Sequence, residues 1–234
     1  ATGSDFNSRL GGIGNQNSLT KMFEANATAI ATGGGSALFT TRNGELWATG
    51  KVYLDGFSNG QGDVNVPTKI LDANLTDFDV GNRNHYIVKS DGSLWAWGTN
   101  GKGQLGNGTT DDNQTMSQIV DANVTQVSAG YEHAVFLKAD GSLWAMGANN
   151  TGGQNHKLGI NLWPDTYKST PQQVLTSGVK FISTGLSHTL LIKTDGSLWG
   201  FGSNNNKRLG NGGNPTIPVE IITSGVQKAA AGAY

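Results

Sequence analysis

The sequence predicts an all-β fold: a β-propeller of four-stranded blades, with about five repeat units in the chain. Three observations lead there. One block recurs four times with the same internal spacing. Each copy holds an Asp-Gly or Asn-Gly pair between two apolar runs. The composition favours turns over helices, with 35 glycines in 234 residues and only 14% charged side chains.

The block runs from Gly33 to Gly50, Gly81 to Gly98, Gly130 to Gly147 and Gly185 to Gly202. Its first glycine precedes the turn glycine (Gly44, Gly92, Gly141, Gly196) by 11 residues in every copy. Apolar runs such as Ala134–Lys138 and Thr189–Lys193 are β-prone, and Asp140-Gly141 and Asp195-Gly196 follow them directly. An Asp-Gly between β runs is a strong hairpin signal, because the turn demands positive φ. The return strand carries Trp47, Trp95, Trp144 and Trp199, spaced by 48, 49 and 55 residues. A residue repeated at one place in every unit is expected to be buried packing between units.

The stretches between blocks align as well. Residues 24–33, 72–81, 121–130, 176–185 and 223–232 share one pattern and read as a further strand. Glycine-rich loops occupy 100–108 and 204–212. Each unit then holds a hairpin, a long polar loop and one or two further strands. The expected organisation is a single repeat domain over 1–234, incomplete at both ends: Ala1-Thr2-Gly3 aligns with Ala48-Thr49-Gly50, and Ala230-Ala231-Gly232 with Ala129-Gly130.

Net charge is -1 and the 16 basic residues are scattered, which argues against nucleic acid as a partner. With no cysteine, disulfides, thiolate metal sites and a cysteine nucleophile are excluded. No apolar run approaches the length of a membrane span. The opening Ala1-Thr2-Gly3-Ser4 has no signal-peptide character and no initiator Met, so a mature product or a piece of a longer chain is expected. Low charge, no cysteine and abundant Asn, Thr and Gly suit an extracellular or cell-surface setting, with the cytoplasm as the alternative.

No cofactor, metal or catalytic residue is expected. The tryptophan series could stack sugars, but its regularity favours packing. His133 and His188 share a column with Ser36 and Asn84, and a place that accepts Ser, Asn or His is read as satisfying backbone groups at a turn. Asp91, Asp140 and Asp195 are turn formers, replaced by Asn43 in the first copy. Gly101 to Gly106 fits Gly-x-Gly-x-x-Gly but opens a polar loop, not a helix. Asp111-Asp112-Asn113 and Asp63-Val64-Asn65 could supply oxygen ligands to calcium, yet lack regular spacing.

In a repeat protein, the breaks in the repeat are the better guide to function. The longest break, Asn149 to Thr170, carries His156, Trp163, Asp165 and Tyr167. A second, Lys51 to Phe57, carries Tyr53 and Phe57. Exposed aromatics of this kind are enriched at binding hot spots, which makes these six the candidate partner-binding residues. Local packing that pins the long loops is the alternative.

The combined pattern resembles the repeat of the regulator of chromosome condensation family. Ala129-Gly130, His133, Asp140-Gly141, Leu143-Trp144 and Gly147 match it, as do Gly185, His188, Asp195-Gly196, Leu198-Trp199 and Gly202. The resemblance covers nearly the whole chain and is closest in style to bacterial members. Tyr53 to Val66 departs from it in lacking the family's Gly-x-Leu-Gly element, and the loop after Gly147 is longer than the others. The resemblance implies a seven-bladed ring of which the chain is a segment; a five-bladed ring is the alternative. It also implies a non-enzymatic module that binds another protein, with small-GTPase regulation or enzyme inhibition as alternatives. A glycan is the secondary partner class.

Overall fold

A computed structural model describes residues 27–56, 63–149, 156–161, 166–205, 207–210 and 212–232. Every regular element among them is a β-strand. The strands form four sheets of four antiparallel strands each, every one a simple meander. Blade 1 comprises β1 (Ala27–Gly33), β2 (Ser36–Thr41), β3 (Leu46–Lys51) and β4 (Asp63–Leu71). Blade 2 comprises β5 (Leu75–Val80), β6 (Asn84–Lys89), β7 (Leu94–Gly98) and β8 (Asn113–Val120). Blade 3 comprises β9 (Val124–Ala129), β10 (His133–Lys138), β11 (Leu143–Ala148) and β12 (Tyr167–Leu175). Blade 4 comprises β13 (Val179–Thr184), β14 (His188–Lys193), β15 (Leu198–Gly202) and β16 (Val219–Ile222). The recurrent block is the central hairpin of each blade, and the stretch before it is the innermost strand. These are the four-stranded blades expected of a propeller; residues 1–26, which would open a fifth unit, lie outside the described residues.

The hairpin turns correct one detail of the sequence reading. Gly44, Gly92, Gly141 and Gly196 all take φ near +80°, but Asn43, Asp91, Asp140 and Asp195 do not take positive φ. In blade 2 the Gly92 amide donates to the Lys89 carbonyl and the Lys89 amide to the Ser93 carbonyl. The loop is thus three residues ending on a left-handed glycine, not a two-residue turn. The aspartate serves through its side chain: the Ser93 amide donates to Asp91 Oδ1 at 2.8 Å, with the same bond at Ser142–Asp140 and Ser197–Asp195.

The apolar core lies between blades. Leu38, Leu46 and Leu54 of blade 1 pack with Ile87 and Trp97 of blade 2. Tyr86 and Leu94 of blade 2 pack with Val127 and Phe136 of blade 3. Val135 and Leu143 of blade 3 pack with Ile182 and Phe201 of blade 4. A blade cannot bury its own faces, so each depends on its neighbours. The repeated tryptophans meet the expectation in part: Trp95, Trp144 and Trp199 pack against these inter-blade clusters, but they and Trp47 are only half-buried, and the fully buried indole among the described residues is Trp97, outside that series.

The innermost strands meet edge to edge at a column of glycines. A Cβ on Gly33 would collide with the Gly81 carbonyl, one on Gly81 with the Gly130 carbonyl, and one on Gly185 with the Gly232 carbonyl. Only glycine permits this approach.

Candidate interaction face

The start of β2 and the end of β3 pair in register, Ser36 with Gly50, and every blade repeats this: Asn84 with Gly98, His133 with Gly147, His188 with Gly202. The β1–β2 type connections and the long loops after each hairpin therefore emerge at the same end of the stack. At that end a cavity of about 650 Å³ opens between the innermost strands, walled by the glycine column and rimmed by Asn82, Tyr131 and Leu186. Tyr131 is 44% exposed.

In blades 2, 3 and 4 the long loop returns to the stack through one leucine. Leu105 and Leu158 are fully buried and Leu209 nearly so. The Leu105 amide donates to Asn100 Oδ1 (2.9 Å), the Leu158 amide to Asn149 Oδ1 (3.3 Å) and the Leu209 amide to Asn204 Oδ1 (2.8 Å). Sequence reasoning missed this asparagine clamp. The signal was available: an Asn stands two residues after Gly98, Gly147 and Gly202. Blade 1 has no such Asn, and there Val52 and Leu54 are buried in its place. Lys157-Leu158-Gly159 is thus the anchor inside the longest loop.

The candidate partner-binding residues fall in two places. Tyr53 is half-buried at φ 52°, with the Arg83 guanidinium 6.0 Å from its ring centre. His156 is half-buried at φ 23°, next to the buried Lys157, whose Nζ lies 3.6 Å from Glu132 Oε2. Tyr167 is 42% exposed at the start of β12. Phe57, Trp163 and Asp165 lie outside the described residues. Tyr53 belongs to blade 1, whereas His156 and Tyr167 belong to blade 3.

The histidine column is buried. His133 is fully buried against Gly130, and neither ring nitrogen has a hydrogen-bond partner among the described residues. Burial, with the Lys157 charge behind it, pushes its pKa down to about 3. Burial first, then the Arg208 charge, lowers that of His188. The expectation that these rings satisfy turn backbone is therefore corrected for His133: it fills space behind the glycine column as a neutral ring. His85, one residue along, is also fully buried, with Nε2 2.9 Å from Ser36 Oγ of blade 1.

Trp95, Trp144 and Trp199 offer no open stacking platform on their Lys-covered faces. Lys89, Lys138 and Lys193 place Nζ 3.8, 4.9 and 3.4 Å from the ring centres of Trp95, Trp144 and Trp199. Each of these indoles donates its N–H to the Ser hydroxyl of its own turn. In Trp144 the ring also stacks on Phe136 at 6.2 Å. Among the described residues no group of three or more His, Cys, Asp or Glu could hold a metal ion, and no helix is long and apolar enough to cross a membrane.

Two family models, both described as the regulator of chromosome condensation (RCC1) repeat, match the chain, one over residues 91–137 and 195–234, the other over 124–154 and 179–208. No curated protein matches the sequence. Among solved structures, human WBSCR16 is 19% identical with a TM-score of 0.75, over 89% of this chain and 58% of that one. Yeast RCC1 (Prp20), solved bound to Kap60, is 18% identical with a TM-score of 0.73, over 88% of this chain and 50% of that one. Prp20p from Saccharomyces cerevisiae, in a study of its binding to Gsp1p and histones, is 17% identical with a TM-score of 0.73, over 88% and 52%. At such identity the likeness is one of fold, and the chain spans only about half the length of these structures.

Proposed function

Because this chain belongs to the regulator of chromosome condensation repeat family, we propose that it is a non-enzymatic protein-interaction module that presents the loops of one face on a rigid stack of blades. One observation carries the reading. The turn aspartates and the N–H groups of Trp95, Trp144 and Trp199 are bonded within the scaffold, while the non-repeated Tyr53, Tyr131, His156 and Tyr167 lie at the end where the cavity and the long loops open. Aromatic side chains on a rigid support are efficient contacts, because little side-chain entropy is lost on binding. The related yeast protein is described as binding Kap60, Gsp1p and histones, which supports protein as the partner class for this chain too.

The test is affinity capture with three forms of the chain: unaltered, Tyr131→Ala/Tyr167→Ala on the loop face, and Lys180→Ala at the opposite end. A captured protein lost with the first variant and kept with the second supports the reading. Equal retention by both removes the loop face from the account. A positive hydrolase screen overturns the non-enzymatic reading, and accelerated nucleotide release from a GTPase panel replaces it with regulation of that class.

A further inference from the structure

We propose that the Arg208 guanidinium of blade 4 is a receptor for one carboxylate of a partner protein, the contact that an acidic segment would make on the loop face. The proposal rests on the protein-interaction reading above and names the chemistry of the partner.

Consecutive blades differ at this place in one respect. Two main-chain clamps hold the same two columns together in each of blades 2, 3 and 4. In the first, the amide that opens the long loop donates to the connection after the innermost strand: Thr99 to the Arg83 carbonyl, Ala148 to that of Glu132 and Ser203 to that of Ser187, each at 2.8 Å. In the second, Asn100, Asn149 and Asn204 hold the leucine anchors, so Gln104, Lys157 and Arg208, one residue before each leucine, share a column. Blade 3 fills the two columns with opposite charges: the buried Lys157 has Glu132 Oε2 at 3.6 Å. Blade 4 keeps the cation, Arg208, but holds Ser187 in the Glu132 column.

Arg208 is therefore a cation without the counter-ion that its neighbour blade builds in. It is half-buried; Nη1 makes only a long 3.4 Å contact to the Ser203 hydroxyl, and the buried Nε has no hydrogen-bond partner. Among the described residues no carboxylate pairs with it. Residues 203–218 contain Lys207 and Arg208 and no Asp or Glu. Lys207 is exposed at φ 56°, in the column that holds Gly103 at φ 69°, so a second cation stands where glycine is easier. The Arg208 charge acts on His188, which packs on Gly185 in the wall of the cavity, so the site lies at the mouth of the loop face. A partly desolvated charge without a partner is costly, and a planar guanidinium matches the two oxygens of a carboxylate. Blade 3 shows which group the position takes: a carboxylate.

The test is an NMR titration of the full chain with an amidated peptide of alternating Gly and Glu, read at the Arg208 Nε–H and Leu209 amide signals. Ser187→Glu builds the blade 3 pair into blade 4, and Arg208→Gln installs the residue that blade 2 holds as Gln104, so both use side chains that the fold already carries in those columns. Each should weaken the peptide by about tenfold or more, whereas Lys102→Ala should change it by less than about twofold. Ser187→Glu should also move the Arg208 signal in the peptide's direction with no peptide present. No saturable shift in the unaltered chain, or equal affinity in the unaltered chain and Ser187→Glu, overturns the proposal. The captured protein of the preceding test separates the two readings. Its loss from Ser187→Glu supports the receptor. Retention by Ser187→Glu with loss from Tyr131→Ala/Tyr167→Ala overturns the receptor and leaves the interaction module standing, and retention by both removes both.

Discussion

Ser36 of blade 1 and His85 of blade 2 meet across the first joint, with Oγ 2.9 Å from Nε2, although 49 residues separate them in the chain. Both are buried. Ser36→Ala leaves the imidazole nitrogen without its partner and should cost about 1–3 kcal/mol. His85→Phe removes the same bond from the other side, so the double variant should cost less than the sum of the two. Urea unfolding of the four forms at neutral pH measures that coupling directly.

The glycine column should tolerate no side chain. Gly81→Ala drives a Cβ into the Gly130 carbonyl and the Asn84 side chain, whereas Gly101→Ala adds a Cβ in open space at ordinary φ. The first should destabilise by about 1–3 kcal/mol or more, the second by less than about 0.5 kcal/mol. Thermal unfolding of the pair distinguishes close approach from a general intolerance of glycine loss.

Leu158 anchors the longest loop inside the blade 3–4 core. Leu158→Ala should cost about 2–5 kcal/mol and Leu158→Met less than about 1.5 kcal/mol, because the thioether refills most of the volume. Chemical denaturation checks both. If the loop were merely draped over the surface, the two substitutions would be equally mild.

Global stability should fall in acid. Burial holds His85 and His133 near pKa 3, below the ordinary value of 6.5. The neutral rings contribute their full stability above about pH 6.5 and lose it as pH falls toward 3, at about 2 kcal/mol each by pH 5. Asp77 has the opposite sign: its raised pKa means that stability is gained as pH falls from about 6 toward 4. Asp79, likewise raised, acts with Asp77, and His188, likewise lowered, acts with the two rings; the rings carry the larger shifts, so the urea midpoint should be lower at pH 5 than at pH 7.5. His133→Asn should recover part of the difference.

Much of the scaffold is legible in the sequence because it repeats. The 11-residue interval from Gly81 to Gly92 marks the end of an innermost strand and the turn of the next hairpin, and four copies make the marking unambiguous. The His133 and His188 column is legible in the same way, but its burial is not, since a place that accepts Ser, Asn or His reads as one that satisfies backbone groups at a turn. The half-burial of Trp95 was hidden for a related reason: periodicity reports that a position is shared, not how deep it lies. Of the candidate face, Tyr53 and Tyr167 were found as breaks in the repeat, whereas Tyr131 was not, because it sits inside a conforming copy.

By itself the sequence determined the blade, its hairpin, its turn glycines and the membership of each column, because these depend on local geometry repeated within about fifty residues. Only the tertiary structure decided what each column touches. Asp77 and Gln126 stand in one column, yet one brings a carboxylate to its joint and the other an amide. Ser36 finds a histidine across its joint, whereas neither ring nitrogen of His133, in the same column, has a hydrogen-bond partner among the described residues. Such pairings form between residues roughly fifty positions apart on different sheets, so they follow from how blades pack face to face and not from any spacing along the chain.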